Sequence, residues 1–203
     1  MKLNSVFKNI MGAALLMTGI NMAYAAENYT FDPSHSYVLF KIKHFDFSEQ
    51  VGKWYITGNM TLDKDKPENS KVSATIAINN IVTGIPELDK HLKDKLFFNV
   101  KKFPKATFES DKIDVLSDKT AKVYGKLNMR GVTKPVVLDV TLNKAGVSPL
   151  NDQNTVGFKA TAHLKRSDFG MTAFLPGLSD QVDVSIDVEA NQPKQEGVKN
   201  ANE

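Results

Sequence analysis

The sequence predicts an all-β protein, roughly eight antiparallel strands closed into a barrel with one short helix covering it. Three observations carry this expectation. Apolar and polar residues alternate with period two through segment after segment, turn signals separate the segments at short intervals, and one interval alone switches to helical spacing.

The first element is not part of the barrel. Lys2 and Lys8 precede an apolar stretch, Ile10 to Ile20, and Ala23-Tyr24-Ala25 supplies a small-x-small cleavage pattern, so residues 1–25 read as a signal peptide. Gly12, Thr18, Gly19 and Asn21 interrupt the stretch, which falls short of the roughly 20 apolar residues a membrane span requires. No cysteine follows the cleavage point, which excludes a lipid-anchored lipoprotein. Export is expected, to the periplasm of a bacterium. Loss of Lys2 and Lys8 would bring the formal charge from +3 to +1, with both signs interspersed, so charge makes no case for nucleic acid or an anionic membrane. The absence of cysteine removes disulfides, thiolate chemistry and Cys-ligated metals together.

The strands follow. Val38, Phe40 and Ile42 alternate with Tyr37, Leu39, Lys41 and Lys43; Val72, Ala74, Ile76 and Ile78 alternate with Ser73, Thr75, Ala77 and Asn79. The same pattern runs through 122–129, 136–143, 156–165 and 182–189, and more weakly through 53–62 and 106–115. Short links and wet outer faces imply antiparallel pairing, because parallel strands need long crossovers. A sandwich and a closed barrel both satisfy the alternation. Closure removes exposed edges and leaves an interior able to hold one small ligand. Small residues on the inward face (Ala74, Gly125, Ala160, Ala162) favour a hollow interior over a filled one.

One segment breaks the period. Pro86 at a start position, with Leu88, Leu92 and Leu96 spaced by four, describes a short amphipathic helix. Aromatics cluster around it and at loop ends: Phe97-Phe98, Phe103 and Phe108, Phe45, Phe47 and Trp54, Phe169 and Phe174. The barrel domain is expected over 26–190, and residues 191–203, which lack an apolar face, read as a disordered tail.

Candidate chemistry is sparse. His163 sits on a lysine-rich outer face. His91 follows Asp89 by two residues, which do not face each other on a helix. His35 and His44 stand nine residues apart, about 30 Å along an extended strand, too far to share a metal. Asp32-Pro33-Ser34-His35-Ser36 contains the letters of a hydrolytic triad, but Asp-Pro opens a turn and serines commonly satisfy backbone there. No glycine-rich phosphate loop and no nucleophile elbow is present. No catalytic residue, metal site or cofactor is therefore expected.

A set of short stretches, in this order, is more telling: Asp32-Pro-Ser-His35-Ser with Val38-Leu-Phe40 and His44; Gly52-Lys-Trp54 to Gly58; Ile81-Val-Thr-Gly84 with Leu88-Asp-Lys-His91-Leu92 and Phe97-Phe98; Phe103-Pro104 with Thr107-Phe108-Glu-Ser110; Gly125-Lys-Leu127 with Arg130-Gly-Val-Thr-Lys-Pro135-Val; and Arg166-Ser-Asp168-Phe-Gly170-Met171 leading to Val182-Asp-Val-Ser-Ile186. Together they span almost all of the chain after residue 25, and it resembles the YceI-like family of lipocalin-like, polyisoprenoid-binding periplasmic proteins. The resemblance implies an eight-stranded lipocalin-like barrel whose interior is a tunnel for a long amphiphilic chain such as a polyprenyl quinone, with binding or transport and no catalysis. One departure is local: the family usually carries an arginine shortly before the Asp-x-His-Leu segment, and here that stretch reads Ile85-Pro86-Glu87-Leu88.

Alternation and resemblance together nominate a ligand-binding surface. Val38, Phe40, Ile42, Ile76, Ile78, Leu127, Met129, Phe158, Ala160, Val184 and Ile186 are expected to line the tunnel, with Trp54, Phe97, Phe98 and Met171 as its roof. The expected partner is a long-chain isoprenoid or fatty amphiphile, with no nucleic acid and no stable membrane insertion; a homodimer is left open. Two other readings remain at this point. One is an enzyme of lipid or quinone metabolism using His44, His91 or Asp168 as a base. The other is a stress-responsive structural module whose barrel is filled by its own side chains.

Overall fold

The computed structural model describes residues 26–194 and contains an eight-stave antiparallel barrel with one helix at one end. The leader assigned to residues 1–25 and the part of the tail beyond residue 194 lie outside the described residues. The strands are β1 (Glu27–Phe31), β2 (Tyr37–His44), β3 (Ser48–Leu62), β4 (Lys71–Ala77), β5 (Lys105–Val115), β6 (Thr120–Met129), β7 (Val132–Val147), β8 (Asn154–Lys165) and β9 (Gln181–Asn191), and the helix α1 is Pro86–Lys93. The order β3-β2-β9-β8-β7-β6-β5-β4 closes through a β3–β4 ladder in which Ile56 faces Ile76 and Gly58 faces Ala74. Closure leaves those staves without a free edge.

β1, which the alternation does not single out, shares a stave with β2. It pairs with the far end of β3 (Thr30↔Asn59) and the far end of β9 (Phe31↔Ala190), while β2 pairs with their nearer parts (Val38↔Trp54, Val38↔Ile186). Between them the chain turns at Asp32-Pro33. The Asp32 carboxylate accepts a hydrogen bond from the Ser34 amide (2.8 Å) and pairs with His35 Nδ1 (2.9 Å). Ser36 then fills the interrupted ladder. Wholly buried, it donates its hydroxyl to the Glu189 carbonyl (2.9 Å), accepts from the Glu189 amide (3.2 Å) and offers its own carbonyl to Ile56 N (3.0 Å). A side chain thus replaces the missing backbone partner, as a buried strand requires.

The helix is shorter than its leucine spacing. Pro86 opens it, its missing N–H costing nothing at that position, and it stops at Lys93. Leu96 lies beyond it and is exposed. Asp89 does not orient His91; it accepts hydrogen bonds from the Thr83 amide (2.7 Å) and hydroxyl (2.6 Å), which fastens the loop ahead of the helix. At the other boundary, β9 runs through Asn191 and the ladder continues as Gln192 N donates to Asn154 O (2.9 Å), so pairing passes position 191, where the tail was expected to begin. Backbone pairing holds this segment without an apolar side chain.

Candidate functional site

The barrel is hollow. A continuous cavity of about 920 Å³ runs along its axis, from the turn ends around Lys64 and Lys119 to the aromatic end under α1. The inward residues of the strands record it: Phe40, Ile42, Ile76, Leu127, Phe158, Val184 and Ile186 are only half-buried, although the register points each of them to the interior. In a filled barrel of this size the same positions would be fully excluded from solvent. Buried side chains form two clusters, one around Tyr29, Phe31, Ile56 and Val156 and one around Phe108, Val123, Val136 and Ala162, with Ile78, Ile81 and Phe169 buried outside them.

Fourteen of the fifteen nominated residues stand on the cavity wall. The exception is Ile78. The expected strand over 72–79 ends at Ala77, and the chain turns into a short 3-10 segment, Ile78–Asn80. Ile78 therefore leaves the interior face and packs beneath the wall, fully buried, where its carbonyl accepts the Trp54 indole N–H (3.2 Å). Of the small inward residues, Ala74, Ala160 and Ala162 line the cavity, as the sequence reading expects. Gly125 does not: a Cβ there would meet the Phe108 ring, as one on Gly52 would meet the Phe40 ring and one on Gly58 the Phe31 ring. These glycines make room for aromatic rings lying against the sheet.

The α1 end is a connected aromatic surface. Phe40 lies against Trp54 (ring centroids 4.9 Å apart), Trp54 meets the edge of Phe98 (5.2 Å), and Phe97 stacks on Phe174 (6.3 Å) with His91 edge-on to both. Phe45 and Phe174 both have positive φ, 50° and 62°, unusual for so large a side chain. Phe45 is held there by its amide bond to Gly177 O (2.7 Å) and by a ring that occupies the space a side chain at Gly177 would need. Along with Phe45 and Phe174, the wall at this end includes His44, Leu88, His91 and Leu92.

Arg166 also lines the cavity at this end and is 4% exposed. It donates Nε–H to Ser179 O (2.9 Å), Nη1–H to Met171 O (2.7 Å) and Nη2–H to Leu178 O (2.9 Å). Burial weakens its hold on the proton while the Asp180 charge nearby strengthens it, and the guanidinium remains charged. At Asp180 burial works against ionisation, but hydrogen bonds from the Ser167 hydroxyl and amide and the Arg166 charge outweigh it, leaving the carboxyl below its ordinary range. Sequence reasoning missed Arg166 as a wall residue. A signal was available: the chain has only two arginines among its 26 basic residues, Arg130 and Arg166.

Of the other candidate chemistry-bearing side chains, His44 and His91 stand on the cavity wall and the rest lie off it. The Ser34 amide donates to the Asp32 carboxylate and the Ser36 hydroxyl bonds the Glu189 backbone, neither serine bonding His35, so the triad letters do not assemble. His163 pairs with Asp183 on the outer surface (2.7 Å), and Asp168 is exposed and off the cavity. Among the described residues no group of three His, Asp or Glu side chains gathers at metal-binding range, and no helix is long and apolar enough to cross a membrane.

A closed barrel, a helix across one end and an apolar axial cavity define the comparison to make with known proteins. The YceI-like domain matches residues 29–190. The chain belongs to the YceI-like family. Protein YceI of Salmonella newport is 38% identical over 193 residues, covering 92% of this chain and 99% of that protein. Among solved structures, a Campylobacter jejuni YCEI protein is 30% identical with a TM-score of 0.66, covering 75% of this chain and 90% of its own. A polyisoprenoid binding domain from Saccharophagus degradans shares the fold at 15% identity, with a TM-score of 0.63 over 84% of this chain.

Proposed function

We propose that this protein is an exported carrier that encloses the chain of a long isoprenoid, or a similar amphiphilic lipid, along the barrel axis. The apolar cavity of about 920 Å³ carries the reading. A volume of that size lies near the upper end for small-molecule sites. Water in the empty barrel is poorly held and readily displaced, because a buried water is well satisfied only with two to four polar partners and these walls are chiefly Val, Ile, Leu, Phe and Met. An alkyl or prenyl chain instead gains up to about 0.8 kcal/mol for each CH₂ removed from water, offset in part by the ordering of the chain. The related fold of the Saccharophagus polyisoprenoid binding domain supports the same chemistry. Export to the periplasm is supported by the leader pattern of residues 1–25.

Organic extraction of the protein purified from its own host, followed by mass spectrometry, tests the reading. The expected result is about one unmodified long-chain lipid per chain. A lipid-free preparation that also fails to take up a polyprenyl chain after delipidation would overturn it. Osmotic-shock fractionation with N-terminal sequencing tests export: a mature chain beginning at Ala26 in the shock fluid is expected, and an intact Met1 in the cytosol would refute it.

A further inference from the structure

The geometry points to Arg166 as an anchor for the anionic oxygen head, a carboxylate or phosphate, of the chain that occupies the barrel. This inference rests on the carrier reading and adds the head group's chemistry and its place. An arginine has five N–H donors in a planar fork. Three are given to the carbonyls of Ser179, Met171 and Leu178, which leaves two. The three acceptors are neutral. Among the described residues no carboxylate bonds Arg166 directly: Asp180 is near enough for its charge to act on the guanidinium, but both its oxygens are engaged by Ser167. A buried guanidinium is ordinarily paired with an anion, because carbonyl dipoles solvate the charge without neutralising it. This one instead stands at the end of an otherwise apolar cavity. A bidentate carboxylate or phosphate would take the spare donors and add a directly bonded anion, which Asp180 does not provide.

Arg130 provides the comparison within the molecule. It too bonds only carbonyls, Nη1–H to Gly170 O (2.8 Å) and Nη2–H to Lys95 O (2.9 Å), and so ties the 3-10 turn at Arg166–Phe169 to the loop after α1. It is not on the cavity wall, and although its Nε–H is buried without a partner, its two Nη groups act as a clamp. The charges at the opposite mouth differ again: Lys64 pairs with Glu27 (2.7 Å), exposed to solvent, where an added anion gains little. Arg166 alone of these joins burial, charge and contact with the cavity.

The test uses two probes with one chain, geranylgeranoate and its methyl ester, competing at pH 7.4 against the neutral dye N-phenyl-1-naphthylamine in delipidated protein. The acid is expected to bind about tenfold tighter than the ester or better, the scale of one charge-assisted hydrogen bond. In Arg166→Met the ratio of acid to ester affinity is expected to fall to about one. Because Arg166 also holds a loop, a second measurement uses the wild-type chain. With ¹⁵N-arginine labelling only two Nε–H signals exist, and the acid, but not the ester, should shift that of Arg166 and leave that of Arg130 in place. Equal binding of acid and ester, a preference that survives in Arg166→Met, or an unmoved Arg166 signal would each overturn the anchor while leaving the carrier reading intact. Failure of dye, acid and ester alike to enter the barrel would instead overturn the carrier reading.

Discussion

The ring of Phe40 lies where a side chain on Gly52 would stand, directly opposite it in the β2–β3 ladder. The pair is self-consistent, since the glycine is neither a turn nor a flexible point but the floor on which an aromatic ring rests. Adding a methyl or more at 52 forces that ring off its rotamer. Gly52→Val is expected to cost about 1–3 kcal/mol, the range for overpacking. In a Phe40→Ala background the same substitution should cost markedly less. Urea unfolding of the four proteins measures the coupling, and simple additivity would show that the two positions do not compete for space.

Ser36 presents the opposite case, a small side chain with two obligatory bonds. Ser36→Ala removes a wholly buried hydroxyl and leaves the Glu189 amide without its partner, while the Glu189 carbonyl keeps the Asp32 amide (2.8 Å). A loss of about 1–3 kcal/mol is expected in the unfolding free energy. Hydrogen exchange should show the effect at residues 189–191 and in β1, where the shared stave is interrupted. A variant as stable as wild type would mean that water substitutes freely there.

The Asp32–His35 pair gives a pH window with a definite sign. The His35 hydrogen bond holds the Asp32 carboxyl below its ordinary 3.8, and the Asp32 bond raises His35 above its ordinary 6.5. The aspartate's contribution is present above 3.8 and disappears as pH falls through its lowered value. The histidine's contribution is complete below 6.5 and disappears as pH rises through its raised value. The pair therefore stabilises most between those two figures. Asp32→Asn should lower the NMR titration midpoint of His35 toward the ordinary value, with the Glu189 charge retaining a smaller upward effect, and an unchanged midpoint would refute the pairing.

Filling the cavity separates a hollow barrel from a solid one. Ile186 lies mid-strand on β9, half-buried and facing inward opposite Val38 and Ala160. Ile186→Trp is expected to reduce uptake of a polyprenyl chain severalfold while leaving the unfolding midpoint of the empty protein level or higher, as cavity-filling changes often do. In a packed core the same change would lower stability by about 1–3 kcal/mol.

Most of the architecture was legible in the sequence because period-two alternation is a direct statement about which side of a sheet is wet. Val38-Phe40-Ile42 and Val182-Val184-Ile186 could be placed inward from the pattern alone. Ile78 could not, since nothing in Ile76-Ala77-Ile78 marks where a strand gives way to a 3-10 turn. β1 was missed for a related reason: five residues with two inward aromatics, Tyr29 and Phe31, are too few to establish a period. Gly125 was read as a sign of open space, because sequence shows that a side chain is absent and not what fills its place. Arg166, named only within one of the family stretches, was not placed on the wall because the chain's basic residues were weighed as net charge, and a single guanidinium folded inward is invisible in a sum.

The half-buried inward faces of β8 and β9 carry a thermodynamic consequence. Heat capacity of unfolding scales with apolar area exposed, about 0.45 cal/K/mol for each Å². An empty barrel leaves part of that area wet in the native state, so its heat-capacity change should be smaller, and its stability curve flatter, than those of a solid protein of equal length. A bound chain covers the remaining area and so behaves as the last portion of the core, contributed by another molecule. Calorimetry of loaded and empty forms would then record two different proteins with one sequence, and the temperature of greatest stability would belong to the complex.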